Sequence, residues 1–266
     1  MKFLRGIFPL FSLQLIVASH LFSVTITIQQ GNWGDVKLAE IKCVLDSTAG
    51  IFVPYSNTLR NKEIYVYETA SVPKFFYSDP LRDEKIRINI SAKNRHWCQY
   101  AFQFAHELGH LMCVARRGDS TNQWFEESLC EAASLFALER LSKTWSNSPP
   151  YPNWKTYAIE FHKYRTQRII QSDYPENLQL PSWWESHKSV LSKSANLRKH
   201  NLWVAVSLLS LIEKMPDSAW SACAKLNESK NEHPKNFRQY LDDWKSACFQ
   251  IKQKEFVEEI ISLFGV

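Results

Sequence analysis

Residues 97–112 read Trp97-Cys-Gln-Tyr-Ala-Phe-Gln-Phe-Ala-His106-Glu107-Leu108-Gly109-His110-Leu-Met112, and they set the reading of the whole chain. Trp97, Ala101, Phe104, Ala105, Leu108 and Met112 recur at helical spacing, which predicts a helix with one buried side. On that helix His106 and His110 stand one turn apart on the same face. Two imidazoles so placed can grip one tetrahedral zinc ion. Glu107 then lies beside the metal, where its carboxylate can take a proton from an attacking water. Gly109 is a poor helix former, costing roughly 1 kcal/mol against alanine. Its presence suits a place where another backbone or a ligand comes close.

A bare His-Glu-x-x-His also arises by chance, so the downstream sequence matters. After the polar stretch 116–123, the run Trp124-Phe-Glu126-Glu127-Ser128-Leu-Cys130-Glu131-Ala-Ala predicts a second helix. Glu127 and Glu131 share one face of it. A catalytic zinc needs a third protein ligand and an open position for water. Glu127, seventeen residues after His110, supplies that ligand if the two helices pack antiparallel.

Together the two runs resemble the gluzincin metallopeptidases of the aminopeptidase N-like and thermolysin-like clan. Their second helix reads Trp-Leu-Asn-Glu-Gly-x-Ala-Glu. The resemblance implies that Glu127 is the third ligand and that Glu131 supports a ligand from behind. Glu126 stands where the family has asparagine, and Ser128 where it has glycine. The similarity covers residues 97–140, and the family's upstream Gly-Ala-Met-Glu-Asn stretch is not found. An aminopeptidase specificity is therefore not implied. The family also implies that the strand before the metal helix, Ile86–Ile90, is a sheet edge that pairs with extended substrate; from its pattern alone an ordinary core strand is the alternative. It further implies that a Tyr or His from the helical half stabilises the oxyanion. His200 and Tyr157 are the candidates.

Outward from these helices, Val24–Ile28, Ile64–Tyr67 and Ile86–Ile90 alternate or are β-branched and predict strands. Lys37–Ala49 has helical spacing, and residues 71–84, with Pro73 and Pro80, predict a loop. Ser146–Asn153, with three prolines, marks a soft boundary. Beyond it, helices are predicted over 154–172, 183–198, 202–213, 236–245 and 255–264. Asp119, just past the first metal helix, is a carboxylate that could orient a ligating histidine. Arg117-Gly118-Asp119 reads as a turn.

The first residues carry Lys2 and Arg5, then an apolar run from Ile7 to Ala18, with small residues before a cleavage point after Ser19. This predicts a signal peptide over residues 1–19; an N-terminal membrane anchor is the alternative. Of the 266 residues ten are tryptophan, which excludes a disordered chain, and a net charge of +5 spread without a basic block argues against nucleic-acid binding. The six cysteines, 43, 98, 113, 130, 223 and 248, are compatible with disulfides in an exported protein. A Cys113–Cys130 bridge would clamp the two metal helices, and Cys223–Cys248 would tie the last ones. Buried free thiols, or a cysteine as a soft ligand, are the alternatives.

The sequence thus predicts an α+β fold. A small mixed sheet with helices (20–145) is followed by a mostly helical C-terminal region (146–266), with a zinc cleft between them. The expected function is peptide-bond hydrolysis with one zinc ion held by His106, His110 and Glu127, and Glu107 as the base. The expected partner is a peptide or protein substrate, with no stable membrane span after processing, in a secreted or periplasmic setting. The competing readings are an inactive binding module stabilised by zinc, with Cys113 or Cys130 as fourth ligand, and a hydrolase of a non-peptide substrate.

Overall fold

Residues 24–76, 85–113, 119–172, 179–229 and 234–266 are described by a computed structural model of the chain. The segment expected to be a signal peptide, and Arg117-Gly118, lie outside these residues. The elements run β1 (Thr25–Ile28), α1 (Leu38–Phe52), β2 (Glu63–Glu68), β3 (Lys74–Phe75), β4 (Lys85–Ile90), α2 (Trp97–Cys113) and α3 (Gln123–Asn147). Then follow α4 (Ala158–Gln171), α5 (Leu180–Leu191), α6 (Arg198–Lys214), α7 (Pro216–Cys223), α8 (Phe237–Ala247) and α9 (Ile251–Phe264). This is the expected α+β arrangement, with a mostly helical C-terminal half.

The four strands form one mixed sheet in the order β1-β2-β4-β3. β1, β2 and β4 are parallel, and β3 runs antiparallel to β4. Ile86, Ile88 and Ile90 are buried while Lys85 and Arg87 are exposed. That is the period of two expected of a strand with one face on the core. The expectation that Ile86–Ile90 is a sheet edge is wrong. β4 lies between β2 and β3, with Phe75 opposite Ile88 and Lys74 opposite Asn89. The edge on that side is β3, inside the stretch expected to be loop. Only two residues long and next to Pro73, it carries no alternation that a sequence reading could detect.

α2 and α3 form the centre of the molecule. Trp97, Tyr100, Phe104, Leu108, Leu111 and Met112 bury one side of α2. α3 has 25 residues and is buried nearly all round through its first four turns. Glu126, Ser128, Glu131 and Ser134 are buried there with the apolar residues, so this helix carries polar groups into the interior. It ends at Asn147, within the soft boundary stretch, and both α4 and α6 pack on it. Trp124, at its start, stacks on Trp184 with ring centroids 5.1 Å apart and also meets Phe237 and Phe264. Full burial of a large apolar side chain contributes about 1.5–3 kcal/mol. The aromatic residue preceding Glu126 and Glu127 therefore fixes the first turn of α3 against α5, α8 and α9. Two expected helices differ in extent. The stretch 183–198 divides, with α5 ending at Leu191 and α6 beginning at Arg198, and α7 appears where none was expected.

Candidate metal centre

Helix α2 presents His106 and His110 to the first turns of α3. Gly109 makes this approach possible: a Cβ there would meet Cys130 Cα at 2.8 Å and Cys130 Sγ at 2.9 Å. The expected close approach at Gly109 is therefore the backbone of the second helix. With α2 and α3 this near, Glu127 Oε2 lies 3.3 Å from His106 Nε2, and Glu127 Oε1 lies 3.5 Å from His110 Nε2. The candidate ligand atoms of the three residues all fall within 4.8 Å of one another. Among the described residues this is the sole group of three or more His, Cys, Asp or Glu side chains so gathered.

The other nitrogen of each imidazole is also engaged. His110 Nδ1 lies 2.9 Å from Glu126 Oε1. A carboxylate only accepts, so Nδ1 carries a proton; without a metal the imidazolium also carries one on Nε2 toward Glu127, and loss of that Nε2 proton leaves the lone pair a metal would take. His106 Nδ1 lies 3.5 Å from Glu131 Oε2, the residue expected to support a ligand. Glu126 and Glu127 thus take different places, Glu127 between the two Nε2 atoms and Glu126 behind His110.

Burial draws the pKa of each histidine down, yet the carboxylates more than offset it. Hydrogen bonds to Glu127 and Glu131 leave His106 raised to about 9. Glu126, by hydrogen bond and charge, does the same for His110. Burial pushes Glu127 and Glu131 up, but His106 brings both below the usual carboxylate range, helped by His110 and Arg198 at Glu127 and by Arg168 at Glu131. Glu107 is different. Burial is the largest influence, and it raises the carboxyl, against the pull of both histidines and of a hydrogen bond from the Phe75 backbone N–H. That N–H belongs to the edge strand β3, so the sheet edge and the Glu107 carboxylate are in direct contact.

The donor set fits zinc. Two imidazoles and one carboxylate are its ordinary ligands, and three protein ligands are the pattern that leaves a position open for water or substrate. The side chains of His106 and Glu127 are 21% and 16% exposed, so the cluster reaches solvent on that side. Cys113 and Cys130 are not in the group. They are buried free thiols, hydrogen-bonded to each other, and Cys113 also bonds Cys223. All six cysteines are free thiols.

Three residues singled out in the sequence lie elsewhere. The Tyr157 hydroxyl accepts from the Cys98 backbone N–H at 3.4 Å, eight residues before His106 and about 12 Å along the helix at 1.5 Å per residue. His200 packs its ring on Trp183 and His187, with centroids 5.8 and 5.2 Å away. Asp119 orients no histidine. It accepts from the backbone N–H groups of Thr121 and Lys235 and from Asn122 Nδ2. It thereby shapes the entry into α3. Sequence reading passed over Arg168, Asn227 and Tyr240, which contact Glu131, Glu126 and Asn227 behind the cluster; each lies far along the chain in an otherwise ordinary helical or turn context. Glu126 carried one signal, its departure from the family's asparagine.

No helix among the described residues is long and apolar enough to cross a membrane. No protein-family model matches the chain, and no curated protein or solved structure is detectably similar to it.

Proposed function

We propose that the protein is a zinc-dependent hydrolase of gluzincin type that cleaves peptide bonds. The observation that carries this reading is the convergence of His106 Nε2, His110 Nε2 and the Glu127 carboxylate, with Glu107 beside them. Bound there, a zinc ion supplies Lewis acidity, lowering the pKa of a water and polarising a carbonyl. Glu107 is the base. It is one residue from a proposed ligand and buried, and that burial raises its carboxyl above the ordinary range, the direction that suits a group that takes and returns a proton. Its carboxylate oxygen takes the proton of the attacking water, holds it, and gives it to the leaving amine nitrogen. The Phe75 N–H fixes the carboxylate, so Glu107 sits against β3 at the end of the sheet, and the end strand of a sheet is the kind of element with which an extended peptide pairs. Export through the N-terminal segment belongs to the same proposal.

Glu107→Gln tests it. The variant keeps the shape and the three ligands and loses the base. Both proteins should bind one zinc, and the native one alone should cleave a peptide library, with a rate difference of about 10²–10⁴. Zinc in both with equal cleavage would remove Glu107 from the chemistry. A folded native protein that binds no zinc would end the metal reading.

A further inference from the structure

We infer that Arg168, Asn227 and Tyr240 are positioning residues of the metal centre, so that the C-terminal helices form the outer layer of the site. This rests on reading His106, His110 and Glu127 as a zinc site. Two chains of polar contacts lead away from the histidines, and both end in the C-terminal region. The first runs from His106 Nδ1 to Glu131, whose other oxygen accepts from Arg168 Nη2 of α4 at 2.9 Å. The Arg168 guanidinium also lies over the Phe102 ring, 4.9 Å from its centroid.

The second chain is longer and more buried. Glu126 is 1% exposed, and its Oε2 accepts from Asn227 Nδ2 at 2.8 Å. The Tyr240 hydroxyl of α8 donates to Asn227 Oδ1 at 3.0 Å; the amide is oriented by its Nδ2, which faces two groups that only accept, the Glu126 carboxylate and the Cys113 carbonyl. Asn227 Nδ2 also donates to the Cys113 carbonyl at 3.3 Å, at the last residue of α2. One buried amide therefore joins the end of one metal helix to a carboxylate of the other.

The chemistry follows from these contacts. A carboxylate held on its far side cannot swing away from the imidazole it accepts from. The imidazole then keeps its Nδ1–H tautomer and its ring angle, and Nε2 stays aimed at the ligand cluster. The asparagine of the resembled family is neutral. Glu126 is a carboxylate instead, and the described contacts give it an amide partner to keep it in place.

The test is zinc affinity of the full-length protein, by competition with a chelator, beside the absorption bands of the cobalt(II)-substituted form. Arg168→Gln and Asn227→Leu should each weaken zinc binding by about 10–100-fold and change the cobalt spectrum. Tyr240→Phe, a milder change that keeps the ring, should weaken it several-fold. Arg168→Lys should recover part of what Arg168→Gln loses. Trp244→Phe is the control: it lies on the same helix as Tyr240 and loses a buried hydrogen bond to the Ala222 carbonyl. It should lower thermal stability while leaving zinc affinity unchanged. Native affinity in the three positioning variants would overturn the inference while leaving the zinc reading intact. An equal affinity loss in Trp244→Phe would overturn it too, since general loosening would then explain the effect. A folded native chain that binds no zinc would overturn both.

Discussion

Gly109→Ala is the sharpest probe of the helix seam that gathers the ligands. The added Cβ would sit 2.8 Å from Cys130 Cα, where carbon atoms ordinarily rest about 3.5–4.0 Å apart. The near atom is backbone and cannot rotate aside, so α2 and α3 must part by about 0.7 Å, the difference between 3.5 and 2.8 Å. Overpacking of this kind costs about 1–3 kcal/mol. Alanine returns about 1 kcal/mol of helix propensity, so the metal-free protein should lose only about 0–2 kcal/mol. The metal site is less forgiving, because ligand distances must hold to about 0.2 Å. His110 is the next residue and Glu127 lies across the seam, so zinc affinity should fall by about 10-fold or more, the range seen for displaced ligand supports. Urea unfolding with and without zinc, together with chelator competition, reads both quantities. Adding Cys130→Ala relieves the clash with Sγ at 2.9 Å but leaves the clash with the Cys130 backbone, so it should not restore zinc binding. If Gly109→Ala instead stabilises the protein by about 1 kcal/mol and binds zinc as before, the reasoning fails: the two helices would not meet at Gly109.

Two further outcomes are expected. Stability of the metal-free protein should depend on pH through His106 and His110, whose folded pKa values near 9 lie above the unfolded value of 6.5. Protonation therefore favours the folded state; its contribution is complete below pH 6.5 and is lost as pH rises through about 9. Urea titrations between pH 6 and 9.5 in chelator should show stability falling across that range; a flat or rising profile would show that the carboxylates do not hold the imidazoles as described. Tyr157→Phe and His200→Ala should leave peptide hydrolysis within about 2-fold of native, since Tyr157 bonds the Cys98 N–H and the His200 ring packs tilted against Trp183. A loss of 100-fold or more in kcat alone at either position would return it to the chemistry.

The primary sequence determined the two helices of the candidate metal centre, the identity of the clustered side chains and the α+β division. Each of these depends on short-range regularities: a helical repeat over residues 97–112, the His-Glu-x-x-His spacing, and alternation in Ile86–Ile90. The helix repeat alone sets His106 and His110 on one face, and the second helix needed only one further assumption, antiparallel packing, to bring Glu127 to them. Tertiary structure alone decided everything that joins residues far apart in the chain. The two-residue strand β3 exists because β4 offers it a partner, and with no alternation of its own it read as loop. Placing Glu127 between the two Nε2 atoms and Glu126 behind His110 required the relative rotation of α2 and α3, which the close approach of Gly109 to Cys130 sets. Arg168 and Asn227 reach the site from 37 and 101 residues beyond the carboxylates they hold, and Tyr240 from 13 residues beyond Asn227. Such separations have no periodicity, because a hydrogen bond between side chains depends on where the folded backbone brings them and not on how many residues lie between.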